Sequence, residues 1–287
     1  MSAPRRSGGC AKEVSLIKAE SRKLAFIGAG RMAEAIISGL IRGRTLRGAD
    51  IIAVDISRER LAYIHEKYGV AVTTDNRAAA RAADVLLLAI KPQHFDDVLP
   101  ALAAGLRSEH LLISIAAGVS VRRVRGLIDR DLPVVRVMPN TPALVNAGIS
   151  AVAVPLGLTP AQKDFVHSVL SSVGEVVYVD EASINAVTAV SGSGPAYYFL
   201  FVRELARAGA ARGLDPVLAS TLARETFFGS ARLLAESDAD EDALIEAVAS
   251  PGGTTEAALR AFESKGLSEV VAAAVAAAAT RAEELDS

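Results

Sequence analysis

The chain has 287 residues, 51% apolar, 22% charged and 5% aromatic, with a formal net charge of -2 and a single cysteine. That length suits one large domain or two of medium size, with ample material for a core. The charge balance gives no general pull toward nucleic acid or anionic lipid, no run of about 18 uncharged apolar residues offers a membrane span, and Cys10 has neither a disulfide partner nor a Cys/His cluster for a metal, so a cytoplasmic chain is the expectation.

Residues 1–22, with Pro4, Arg5, Arg6, Ser7, Gly8 and Gly9, read as a flexible tail that lacks the apolar centre of a secretory signal. A strand follows at 23–27. Over 31–42, Met32, Ile36, Leu40 and Ala33, Ile37, Ile41 recur every four residues, which predicts a helix with one apolar face, stopped by Gly43. Ile51–Val54 is a strand, and 57–68 a helix closed by Gly69. Further apolar runs at 85–90, 111–115 and Val134–Met138 alternate with helical stretches. Strands apolar on both faces suit a parallel sheet covered by helices. Runs at 150–154 and 175–179 flank a helix near 160–172 and extend the same sheet.

Beyond residue 181 the strand signal stops. Helices are expected at 196–212, with Pro195 in the first turn and Gly213 at the end, and from Asp215-Pro216 to about 236. Others follow near 240–249, 255–265 and 267–284. The last is small and apolar nearly all round, a pattern of buried helices. About 100 residues build only a limited core, so these helices are expected to pack on another subunit.

Phe26-Ile27-Gly28-Ala29-Gly30-Arg31-Met32-Ala33 joins the first strand to the first helix. It is a G-x-G-x-x-A dinucleotide fingerprint: Gly28 for the tight turn, Gly30 for close approach of the pyrophosphate, Ala33 for close helix–strand packing, and Arg31 and Met32 in the helix start that faces the phosphates. Asp55 ends the second strand at the spacing of a ribose-binding acid, which favours NAD. Ser57, Arg58 and Arg60 follow at once and could hold a 2′-phosphate, and Asn76 could reach the adenosine ribose. The residues themselves leave NADPH and NADH both open.

Over about 23–284 the chain resembles pyrroline-5-carboxylate reductases. The resemblance rests on Gly28-Ala29-Gly30-Arg31-Met32-Ala33-Glu34-Ala35-Ile36, Ile90-Lys91-Pro92-Gln93, Ser114-Ile115-Ala116-Ala117-Gly118 and Arg136-Val137-Met138-Pro139-Asn140-Thr141-Pro142. The most specific matches are 186–197, with Thr188 and Ser191-Gly192-Ser193-Gly194-Pro195, and Ser250-Pro251-Gly252-Gly253-Thr254-Thr255. The resemblance implies an α/β Rossmann-like N-terminal domain with a parallel sheet, placed at 23–180, and an all-α C-terminal domain for substrate binding and dimerisation, placed at 181–287. It further implies interlocked homodimers that often assemble further, reduction of 1-pyrroline-5-carboxylate to L-proline, and a usual preference for NADPH.

That reaction needs a nicotinamide surface and an anion pocket, with no metal. Ala89, Lys91, Pro92, Ala116, Ala117 and Gly118 sit at strand ends where a nicotinamide shelf belongs. Asn140 either bonds the ring amide or orders its loop. The resemblance places the substrate carboxylate on Ser250, Gly253, Thr254 and Thr255, ahead of a helix whose free N–H groups attract anions. Thr188 is the expected partner of the ring nitrogen, orienting it or relaying through a water rather than donating a proton directly. The four histidines, expected on surface helices or strand edges, read as structural. A β-hydroxyacid dehydrogenase has similar architecture but usually a catalytic lysine in its helical half, and this chain has none between Lys163 and Lys265. The residues also admit a broader imine reductase, or a cofactor-binding scaffold without turnover.

Overall fold

The computed structural model describes residues 22–286, so the tail expected at 1–22 lies, except for Arg22, outside the described residues. Four strands form the centre of the sheet: β1 (Leu24–Ile27), β2 (Ile51–Val54), β4 (Val85–Leu88) and β5 (Leu111–Ser114), each buried along its whole length. The edge strand β3 (Ala71–Thr73), β6 (Val134–Met138), β7 (Gly148–Ala153) and β8 (Gly174–Tyr178) complete eight strands in the order 3-2-1-4-5-6-7-8. Helices α1 (Arg31–Arg42), α2 (Arg58–Tyr68), α3 (Asn76–Ala82), α4 (Phe95–Ala103), α5 (Val121–Ile128) and α6 (Pro160–Ser171) connect them.

Strands β1 to β6 run parallel, as the apolar runs require, because each is reached through a crossover. Between β6 and β7 there is only a 3-10 turn, Thr141–Val145, too short for a crossover, and β7 returns antiparallel. Helix α6 then carries the chain over to β8, which pairs parallel with β7. The expected parallel sheet is therefore parallel over six strands, with a reversed pair at one edge. Two apolar clusters sandwich it. Phe26, Ile36, Ile37, Leu40, Val166 and Val169 pack on one face; Ile27, Leu86, Leu88, Phe95, Leu99 and Ile128 pack on the other. Each such side chain stabilises the fold by about 1.5–3 kcal/mol relative to exposure.

The rest is helical: α7 (Ile184–Val187), a π-turn (Thr188–Gly192), α8 (Gly194–Ala211), α9 (Pro216–Glu236), α10 (Glu241–Val248), α11 (Thr254–Ser264) and α12 (Leu267–Asp286). Asp215 starts α9 by accepting the N–H groups of Val217 and Leu218, the cap that precedes Pro216 in the sequence. These helices leave large apolar side chains in solvent: Phe199 is 65% exposed, Phe228 66% and Val270 63%. Of the described α12 side chains only Ala282 is buried, so the burial expected from its composition is not met within one chain.

One histidine departs from its expected place. His110 is fully buried. Its Nδ1 accepts the Arg107 N–H at 2.7 Å, and its Nε2 faces the Ala83 carbonyl at 2.9 Å. This arrangement needs the neutral ring, protonated on Nε2 alone. Burial pushes its pKa below the ordinary value, outweighing the favourable bond to the Ala83 carbonyl. The unfolded state therefore binds the proton more readily, and the contribution is complete above the unfolded pKa and lost as pH falls toward the folded one. The urea midpoint is expected to drop as pH falls below about 6.5, and His110→Asn is expected to flatten that dependence; an unchanged pH profile in the variant would contradict this account.

Candidate active site

The chain leaves β1 through Gly28, whose φ of +97° lies in the left-handed region that favours glycine. A Cβ there would stand 2.7 Å from the Ala89 carbonyl oxygen at the end of β4. Gly28 N–H donates to the Val54 carbonyl at 2.9 Å, tying the turn to β2. Gly30 is the N-cap of α1 and offers no side-chain cap, so the first N–H groups of the helix have no side-chain acceptor. A Cβ on Gly30 would meet nothing within 4 Å. A turn pressed against the sheet on one side and open on the other, with uncapped N–H groups, fits a dinucleotide pyrophosphate.

Asp55 serves this turn directly. Its Oδ2 accepts the Ala29 N–H at 3.0 Å and its Oδ1 accepts the Ser57 N–H at 3.0 Å. The Ser57 hydroxyl caps α2 by accepting the Arg60 N–H. Arg58 is exposed beside them, with no side-chain hydrogen bond or ion pair among the described residues. Arg60 differs from the expectation of a phosphate ligand. Its Nε donates to the Ala29 carbonyl at 2.6 Å and its Nη2 to Glu34 at 2.5 Å. Asn76 opens α3 behind its cap, Asp75, and is half-buried.

A cleft of about 260 Å³ lies beyond the carboxyl ends of the central strands, lined among others by Met32, Ala89, Lys91, Ile115, Asn140 and Gly192. It thus joins the fingerprint helix, three strand ends and the π-turn of the helical half. Pro92, Ala116, Ala117 and Gly118 are outside its lining. Pro92 begins a 3-10 turn. Gly118, with φ +66°, makes room for the end of α12, where a Cβ would collide with the Leu285 side chain and lie 3.3 Å from its backbone carbonyl carbon.

Asn140 is committed within the chain. Its Oδ1 accepts the Ile149 N–H at 3.0 Å and its Nδ2 donates to the Ser191 hydroxyl at 3.4 Å, so it orders the loop and holds the π-turn. That turn is the feature the sequence did not reveal: Ser193 N–H reaches back to the Thr188 carbonyl at 2.8 Å, five residues earlier. Thr188 is buried, and its hydroxyl donates to the Ile184 carbonyl at 2.8 Å.

The turn at 250–255 stands outside the cleft lining. Gly252 has φ +71°, and a Cβ on Gly253 would stand 2.6 Å from the Ser250 hydroxyl. Gly253 N–H donates to the Ser250 carbonyl, and Gly252 N–H to Glu256. Gly253 caps α11 without a side-chain bond, so the helix start at Thr254 and Thr255 resembles that of α1. Among the described residues no cluster of three His, Cys, Asp or Glu could hold a metal ion, and no helix is long and apolar enough to cross a membrane.

The family model for pyrroline-5-carboxylate reductase dimerisation matches residues 181–285, and that for NADP oxidoreductase, coenzyme F420-dependent, matches 23–118. A pyrroline-5-carboxylate reductase of Pseudomonas aeruginosa is 41% identical over 264 residues, 92% of this chain and 96% of that protein. This chain belongs to the pyrroline-5-carboxylate reductase family. The solved structure of the reductase from Coxiella burnetii matches with a TM-score of 0.86 at 36% identity, covering 93% of this chain and 99% of that one. The reductase of Plasmodium falciparum, solved with NADP bound, matches with a TM-score of 0.82 at 29% identity, covering 93% and 98%.

The two glycines of this reductase turn separate stability from binding. Gly28→Ala adds strain and a backbone clash and is expected to lower the unfolding free energy by about 1–3 kcal/mol. Gly30→Ala is expected to fold normally and to weaken NADPH binding. Urea denaturation with a cofactor titration checks both; equal stability of the two variants would contradict the geometry.

Proposed function

We infer that this chain is an NADPH-dependent oxidoreductase that reduces 1-pyrroline-5-carboxylate to L-proline, the last step of proline biosynthesis. The observation that carries the reading is the cleft in which Met32, Lys91, Asn140 and Gly192 meet beside an open dinucleotide turn, in a chain that matches reductases of this family over nearly its full length. NADPH supplies hydride when bound. Residues 23–180 form the nucleotide unit, with Gly28, Gly30, Arg31 and Met32 at the pyrophosphate and Asp55, Ser57, Arg58 and Asn76 on the adenosine side. Asp55 spends one N–H bond on each oxygen inside the turn, which leaves Arg58 as the charge available to a 2′-phosphate. Ala89, Lys91, Pro92, Ala116, Ala117 and Gly118 shape the nicotinamide end.

Residues 181–287 form the substrate and dimerisation unit, and the chain works as a homodimer or a higher assembly of dimers in the cytoplasm. The exposed phenylalanines of α8 and α9 and the bare face of α12 favour that assembly. Thr254 and Thr255, with Ser250 and Gly253, hold the substrate carboxylate through backbone and hydroxyl donors. Because their turn lies outside the lining of the cleft, a partner subunit's copy completes the site.

Thr188 gives the chemistry its polarity. A hydroxyl has one hydrogen, and here it goes to the Ile184 carbonyl. The oxygen is left to accept, so it favours an N–H on the imine nitrogen. The substrate then arrives protonated and more electrophilic. Hydride addition to the C=N carbon sends the bonding pair to nitrogen, and no protein acid is required. Holding the reactants together supplies most of the acceleration, an effect that reaches about 7–11 kcal/mol in favourable cases.

Purified protein is expected to oxidise NADPH in the presence of 1-pyrroline-5-carboxylate, to form proline, and to turn over more slowly with NADH. Thr188→Val is expected to lower kcat/KM by roughly tenfold or more without weakening NADPH binding. Cofactor binding without turnover would contradict the assignment, and an unaltered Thr188→Val enzyme would remove that residue from the mechanism.

A further inference from the structure

A group of polar side chains behind the dinucleotide turn has no role in the chemistry above. Glu34, on α1, takes four donors from α2. Its Oε2 accepts Arg60 at 2.5 Å, and its Oε1 accepts Lys67 at 3.0 Å, Tyr63 at 3.0 Å and Tyr68 at 2.9 Å. The Arg60 guanidinium also lies over the Tyr63 ring, 5.1 Å from its centroid. Held in this way, Arg60 reaches the backbone of the fingerprint. Its Nε donates to the Ala29 carbonyl at 2.6 Å and its Nη2 approaches the Gly30 carbonyl at 3.4 Å.

A trans peptide is planar, so the C=O of one residue and the N–H of the next point in opposite directions. Fixing the Ala29 carbonyl fixes the Gly30 N–H; the Gly30 carbonyl, which accepts the Glu34 N–H of the first helical turn at 2.9 Å as well as Arg60, fixes the Arg31 N–H. Both N–H groups are thereby aimed away from Arg60, toward the open side of the turn. The Ala29 N–H is separately held by Asp55. We propose that Arg60, clamped by Glu34, is a positioning residue that aims the Gly30 N–H at the cofactor pyrophosphate, beside the Arg31 N–H that the first helical turn holds, without itself touching the cofactor. Burial works against the Glu34 charge, yet the bonds from Arg60, Lys67, Tyr68 and Tyr63 outweigh it and hold its pKa at about 2. The clamp is therefore ionised throughout the neutral range.

The proposal rests on the dinucleotide site described above, and it differs sharply from a phosphate-ligand role for Arg60. A ligand of the 2′-phosphate matters to NADPH alone, whereas a residue that sets the pyrophosphate donors matters equally to NADPH and NADH. The test is a fluorescence titration of full-length protein with each cofactor, with thermal midpoints to follow folding. Arg60→Met is expected to raise the Kd for both cofactors by the same factor, roughly tenfold, with kcat at saturating NADPH within about twofold. Arg60→Lys is expected to recover part of the loss, and Glu34→Gln to weaken both cofactors in the same ratio, which carries the test if Arg60→Met fails to fold. Unchanged Kd values in Glu34→Gln and Arg60→Met would overturn the proposal, as would a loss confined to NADPH. Failure of the unsubstituted chain to bind either cofactor would overturn the dinucleotide site itself.

Discussion

At Gly28 the backbone passes so close to the end of β4 that a Cβ would stand 2.7 Å from the Ala89 carbonyl oxygen. The contact is possible because β1 and β4 are neighbours in the sheet, paired from Leu24 with Val85 to Ile27 with Leu88. The consequences extend outward from it. The turn and the strand end become two walls of one cleft, so Met32 from α1 and Lys91 beyond β4 share its lining. The start of α1 is aimed along the sheet edge with its N–H groups uncapped. Asp55, from the neighbouring β2, is brought within 3.0 Å of the Ala29 N–H. Widening that approach by one methylene would disturb every one of these relations, since interiors packed at this density have no slack.

The helical half meets this end of the sheet at an irregular element and at the end of α12, which packs on Gly118. The π-turn inserts one extra residue between α7 and α8, and Asn140 ties it to the loop after β6. Gly192 there lines the same cleft. Beyond that junction the helices bury little in one chain, and Phe199, Phe228 and Val270 stand in water. Large apolar side chains left exposed at this density mark an association surface rather than a finished core. In the function proposed above, a second subunit serves two needs at once, covering this surface and supplying the glycine-rich turn ahead of α11.

Much of this was legible in the residues. The buried strands announced themselves as apolar runs, the fingerprint by its glycines, and α9 by Asp215-Pro216 and the Gly213 before it. What was hidden has physical reasons. Strand β3 has three residues at an edge, half-exposed and too short for any periodicity. The reversal at β7 depends on connection length rather than on strand composition. A π-turn differs from an α-helix by one hydrogen bond, and no side-chain pattern encodes it. His110 is buried because two backbone groups 27 and 3 residues away satisfy its ring, a match that only tertiary structure creates. The spacing of Asp55 and Arg60 points to the adenosine side, but their bonds to the Ala29 backbone depend on which way each side chain leaves β2 and α2.

The most direct test of the account is a mixed dimer. One chain carries Gly30→Glu, which sets a carboxylate where the pyrophosphate belongs while its Cβ meets no neighbour within 4 Å. The other carries Thr254→Pro and Thr255→Val, which remove donors at the start of α11; proline is tolerated at a first helical position. Each parent dimer is expected to be inactive. If each site is built from the nucleotide unit of one subunit and the 250–255 turn of the other, the mixed dimer regains one intact site and about half the activity of the unsubstituted enzyme. A mixed dimer as inactive as its parents would show that both halves of a site come from the same chain, and would contradict the shared site.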